Sequence, residues 1–96
     1  MCTMIVDNIK ATGSAKGRDG WFSITDISVS YDHPFHAPLE HALNIDFMAR
    51  AQSGFQRISA ELTAADALEL IKSIEKVLSE AESREIPLDA DILKAS

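Results

Sequence analysis

Hydrophobic and polar positions divide the chain into a front part that alternates with period two and a rear part that repeats every 3.6 residues. Residues 3–11 carry Ile5, Val6 and Ile9, with apolar side chains on both parities around Met4, Ile5 and Val6. That pattern predicts a strand that is interior or lies at a contact between copies. Residues 13–20 hold three glycines and an Asp19-Gly20 step, which predicts a hairpin loop with positive-φ positions. From Trp21 to Tyr31, Phe22 and Ile24 occupy one parity and Ile27, Val29 and Tyr31 the other. A one-residue slip of this kind at Thr25-Asp26 predicts a β-bulge in that strand. Leu43, Ile45 and Phe47 then alternate with Asn44 and Asp46, the pattern of a half-buried strand. After a turn at residues 51–54, a last strand places Ile58, Ala60 and Leu62 inward and Arg57, Ser59 and Glu61 outward.

At Thr63 the period changes. A threonine followed three residues later by Asp66 makes a good helix start, because the hydroxyl accepts an otherwise unpaired N–H and the carboxylate favours the positive end of the helix dipole. Ala64, Ala67, Leu70, Ile71, Ile74, Val77, Leu78 and Ala81 fall in one stripe at 100° per residue. The stripe reads as core, and Pro87 ends the helix by disfavouring helical geometry in the residue before it. The fold class is therefore α+β: a four-stranded antiparallel sheet followed by one long amphipathic helix packed on one face. Residues 1–82 form a single domain, and 83–96 are a C-terminal extension in which Ile92 and Leu93 can settle on the body or on a neighbouring subunit. One helix covers only one side of a sheet, so the doubly apolar stretch at residues 4–6 implies a homodimer.

Composition adds mostly exclusions. Hydrophobic residues at 46% and charged residues at 25% are ordinary for a folded domain, which removes disordered and fibrous readings. The net charge of −6, with Lys16 and Arg18 as the only close basic pair, argues against nucleic acid as a partner. Residues 63–96 hold eight acids against four bases, marking a solvated helical surface. No run approaches the roughly 18 apolar residues of a membrane span, and no basic leader opens the chain, so no membrane partner and a cytoplasmic location are expected. The lone Cys2 agrees with a reducing compartment. It would be a buried thiol near a strand start, a thiolate ligand, or, with Met1 removed, a nucleophile beside its own amine.

The chemistry concentrates in one run. Tyr31-Asp32-His33-Pro34-Phe35-His36-Ala37-Pro38-Leu39-Glu40-His41 contains every histidine of the chain. Imidazole and carboxylate donors suit a first-row ion, so His33, His36 and His41 are candidate ligands of one divalent metal, zinc, iron or copper. Asp32, Glu40 and Asp46 would supply an oxygen or orient an imidazole. Pro34 in second place of a four-residue turn would bring His33 and His36 within about 7 Å. Zinc there would activate water or a carbonyl; iron or copper would meet oxygen or a peroxide. Loop histidines also serve as ordinary hydrogen-bond partners, and the spacing His-x2-His-x4-His matches no established zinc pattern. A different class of function is a non-catalytic homodimeric binding module for a small molecule or a protein, its pocket formed by Trp21, Tyr31, Phe35 and Asn44. A third is an accessory subunit in which the histidines only shape a loop. The glycines of residues 13–20 do not make a phosphate loop, because they lead into a strand beginning Trp21-Phe22 rather than a helix.

The opening Met1-Cys2-Thr3, the stretch from Gly13 to Phe22 with its Lys-Gly and Gly-Trp-Phe steps, and above all the run from Tyr31 to Phe47 resemble a family of small uncharacterised bacterial proteins, catalogued as a domain of unknown function. The resemblance spans roughly residues 1–80 and implies no reaction, ligand or catalytic residue.

Overall fold

A computed structural model describes residues 5–51 and 54–88. Cys2, Met4 and the extension residues Ile92 and Leu93 lie outside the described residues. Strands β1 (Ile5–Gly17), β2 (Gly20–Asp32), β3 (Ala42–Ala51) and β4 (Gly54–Leu62) precede helix α1 (Ala64–Ser83). The strands form one antiparallel sheet in the order β1-β2-β3-β4. The architecture is thus the α+β arrangement that the change of period predicts. By contacts the chain divides into two compact units, a sheet unit ending at Thr63 and a helical unit beginning at Ala64.

In the sheet unit, alternation and register together sort side chains onto two faces. On one, Ile27, Val29 and Tyr31 of β2 pair with Phe47, Ile45 and Leu43 of β3, and these pair with Ile58, Ala60 and Leu62 of β4. On the other, three polar-rich rows cross all four strands: Asn8–Ser28–Asp46–Ser59, Val6–Ser30–Asn44–Glu61 and Lys10–Asp26–Met48–Arg57. The edge strands β1 and β4 approach each other without pairing, and the cavity between them is lined from the polar rows. The sheet therefore curls toward its polar side. Phe22, Asp26, Ala42 and Met48 are buried on that side, and Ala49 on the apolar one.

The irregularity expected in β2 lies on the strand opposite. Register shifts by one residue between Lys10 and Gly13 of β1, which face Asp26 and Ile24. The extra residue belongs to β1, since three steps along β1 match two along β2 there. The Thr25 hydroxyl donates to Asp26 Oδ1 (2.7 Å) and accepts the N–H of Arg50 (3.1 Å), tying β2 to β3. Phe22 and Ile24 consequently share a parity with Asp26, and Phe22 is buried against the hairpin rather than on the apolar face. Its ring depends on the missing side chain of Gly17, where a Cβ would lie 3.2 Å from Phe22 Cε1. The hairpin loop is shorter than the glycine count implies. β1 and β2 run to Gly17 and from Gly20, leaving Arg18 and Asp19 as the loop, with Gly20 supplying a φ of 117°.

Helix α1 carries its apolar stripe at the predicted positions, with Asp66 in the first turn, but the stripe read as core is not buried: no residue of the helix is. Its end is closed by backbone bonds from Ile86 N to Ala81 O (2.9 Å) and from Glu85 N to Glu82 O (3.0 Å). Those two bonds define a Schellman motif, which needs a left-handed residue at its centre; Glu85 takes that role with a φ of 60°. Arg84 adds an ion pair to Glu80 one turn earlier (2.6 Å).

Candidate functional site

The polar rows and the histidine loop, residues 33–41, meet at one end of the sheet. A cavity of about 510 Å³ lies over the rows, lined among others by Asn8, Ser28, Ser30, Asn44, Asp46 and Arg57. A shallower one of about 460 Å³ adjoins it, between Phe35, His36 and Ala37 of the loop and Arg57, Ser59 and Glu61 of β4. Phe35, Arg57, Ser59 and Glu61 border both.

Glu61 shapes the loop. Its carboxylate accepts three successive backbone N–H groups: Phe35 to Oε2 at 2.5 Å, Ala37 to Oε1 at 2.8 Å, and His36 forked between them at 3.1 and 3.4 Å. Successive amides converging on one anion form a nest, here filled by the chain's own side chain. The Ala37 and Phe35 amides hold the Glu61 carboxyl below its ordinary value of 4.5 against the opposing effect of desolvation, with His36 adding a smaller contribution. The proline turn expected at His33–His36 is not closed by its own backbone, because the His36 N–H goes to a charged acceptor, the stronger partner. Elsewhere in the loop, Asp32 Oδ1 accepts the His33 N–H (2.7 Å) and Leu39 N–H donates to the Ala37 carbonyl (2.8 Å).

The imidazoles follow from this scaffold. His33 Nδ1 donates to the Glu40 carbonyl at 2.7 Å, and since a carbonyl only accepts, Nδ1 carries the proton. His33 stacks on His41 at a centroid distance of 5.0 Å and 25°, and His41 on Tyr31 at 5.8 Å and 16°. Stacked rings keep their in-plane lone pairs in near-parallel planes, whereas a shared ion needs each nitrogen about 2.0–2.1 Å away and converging on one point. Among the described residues, no group of three His, Cys, Asp or Glu side chains is arranged to hold an ion. Of the residues expected to supply an oxygen or orient an imidazole, Asp32 accepts the His33 backbone N–H and Asp46 the Ser59 hydroxyl, while Glu40 holds the His33 ring through its backbone carbonyl.

Of the four residues expected to form a pocket, the structure brings Phe35 and Asn44 to the cavity. Trp21 and Tyr31 belong to the opposite parity of β2, in register with Lys16 and with Ile5 and Leu43, so they stand on the other face. Arg57, Ser59 and Glu61, expected to point outward, instead border the cavity because the sheet curls around them. Ser28, Ser30 and Asn8 also escape sequence reasoning, although their shared parity with Asn44 and Asp46 is visible in the chain.

Hydrogen-bonding capacity on the polar face is partly unused. The hydroxyls of Ser28 and Ser30 and the amide of Asn8 make no hydrogen bond to another described residue, and Asn44 uses only its NH₂, on the Ala42 carbonyl (3.2 Å). Charges deeper in the sheet are balanced: Asp26 receives Lys10 Nζ at 3.0 Å and Arg50 Nε at 3.7 Å. The Thr25 hydroxyl, then Lys10, hold the Asp26 carboxyl below its ordinary value of 3.8.

A family model described as a family of unknown function (DUF6295) matches residues 1–87. No curated protein and no solved structure matches the chain. Among the described residues, no helix is long and apolar enough to cross a membrane.

Proposed function

Because the chain belongs to that family of unknown function, for which no reaction is assigned, we propose from geometry alone that it is a non-catalytic binding module seating a small polar molecule on the concave face of its sheet. One observation carries this reading: half-buried Ser28 and Ser30, with Asn8 and Asn44 beside them, direct uncommitted donors and acceptors into a cavity of about 510 Å³. Ligand sites combine a concavity of this size with a few fixed polar groups, and strands hold such groups more rigidly than loops do. Catalysis is not favoured, since the rings of His33 and His41 are engaged with one another, with Tyr31 and with the Glu40 carbonyl rather than with a nucleophile.

The test is a fragment screen on the whole chain, read by amide chemical shifts. Binders should move Ser28, Ser30, Asn44 and Ser59 together. Replacing both hydroxyls (Ser28→Val with Ser30→Val), which keeps β-forming side chains, should weaken them about tenfold or more, as two lost hydrogen bonds imply. Fragments that map only to the apolar face around Ile45 and Phe47 would refute the reading.

A further inference from the structure

Among the described residues, charge pairing on the polar face leaves one group over. Lys10 and Arg50 both serve Asp26. Asp32 is engaged by the His33 N–H, Asp46 by the Ser59 hydroxyl and Glu61 by three loop amides. Arg57 borders both cavities, and its guanidinium has neither an ion pair nor a hydrogen bond to any described residue. In the register, Met48 separates it from Asp26. Among the described residues, every carboxylate lining the cavities thus has an internal partner, whereas the one uncommitted charge there is a cation with a planar, two-pronged donor set.

Beside Arg57 stands Phe35, whose side chain is fully exposed (101%) although its backbone is pinned by Glu61 at 2.5 Å. An aromatic ring held in water on an anchored backbone, bordering the same two cavities as an unpaired guanidinium, offers a stacking surface next to an oxyanion receptor. Resting on the binding-module reading above, we infer that the ligand is a small ring-bearing organic anion. Its carboxylate or phosphate is gripped by Arg57, its ring lies on Phe35, and its polar substituents reach the Asn8–Ser28–Asp46–Ser59 row. The net charge of −6 does not forbid this. Exposed charges beyond about 8 Å are screened at physiological salt.

A matched pair of probes isolates the charge: benzoate and benzamide, titrated into the intact chain at pH 7 and followed by amide and arginine side-chain resonances. Benzoate should move Arg57, Ser59 and Ala37 and bind at least fivefold more tightly than benzamide. Arg57→Gln should remove that preference, Arg57→Lys should keep part of it, and Phe35→Ala should weaken both probes alike. Equal or tighter binding of benzamide, or a preference that survives Arg57→Gln, overturns the anion assignment while leaving the binding-module reading intact. Binding of neither probe also overturns it, and the broader reading then stands or falls with neutral fragments at Ser28 and Ser30. Should Arg57→Gln fail to fold, an undiminished benzoate preference in Arg57→Lys together with unshifted Ser59 overturns the assignment.

Discussion

Glu61→Gln is the sharpest probe of the site because it keeps the shape of the side chain and removes one acceptor. Whichever oxygen becomes the NH₂ group, either Phe35 N–H (now 2.5 Å from Oε2) or Ala37 N–H (2.8 Å from Oε1) is left facing a donor. The forked His36 N–H keeps one acceptor, but a neutral one, and neutral bonds are roughly half as strong as charge-assisted ones. Losing one charge-assisted bond at a solvent-accessible position corresponds to about a tenfold rise in local opening, the lower end of the usual range. Amide hydrogen exchange should therefore accelerate about tenfold at Phe35, His36 and Ala37, with the β3 amides of Ile45 and Phe47 unchanged. Acid supplies a second axis. Since the loop amides lower the folded carboxyl below 4.5, the clasp stabilises the loop fully at higher pH and is lost as pH falls through that lower folded value. The Glu61→Gln protein should lack this acid-dependent opening. Exchange within twofold of wild type at all three amides, or equal acceleration throughout the sheet, would refute the clasp.

Gly17→Ala places a Cβ 3.2 Å from Phe22 Cε1 and should cost about 1 kcal/mol in urea denaturation, whereas Gly13→Ala, with nothing within 4 Å, should be neutral or stabilising by about 0.5 kcal/mol; equal effects would contradict the packing of Phe22. Glu85→Gly relieves a left-handed residue at φ 60° that costs about 1 kcal/mol, partly offset by the greater freedom of unfolded glycine, so the urea midpoint should rise by the equivalent of about 0.5 kcal/mol. Ile74 is 51% exposed, so Ile74→Ala should cost no more than about 1 kcal/mol, roughly half the value of a fully buried isoleucine; a loss above about 2 kcal/mol would mean that another surface covers the helix stripe in solution.

How far the sequence reveals this site depends on the range of the interactions involved. Leu43, Ile45 and Phe47 with Ile58, Ala60 and Leu62 announce their shared face because alternation is local and a one-residue slip would turn one set to the polar side. The 3.6-residue stripe from Ala64 to Ala81 announces a helix in the same way, and Pro87 its end. The histidine loop is different. Its eleven-residue run invites a metal reading by composition, yet its conformation is decided by Glu61, which lies 24 to 26 residues from the amides it clasps. Nothing local to the run encodes that partner.

Arg57, Ser59 and Glu61 look like any solvent-facing parity of an edge strand until the sheet curls, and curl is a property of the whole sheet, promoted by the extra residue between Lys10 and Gly13 and by strand twist. One signal could still distinguish this parity from an ordinary wet face. Solvent faces favour long charged side chains, whereas Asn8, Ser28, Ser30, Asn44 and Ser59 are short hydroxyls and amides in register across four strands. Short polar groups gain little by facing bulk water in rows, and they leave room between the strands' edges that lysines and glutamates would fill. The concavity and its hydrogen-bonding surface are therefore encoded by the same choice of side chains, and Arg57 stands out because, among the described residues, it is the one long cation of the face that no carboxylate claims.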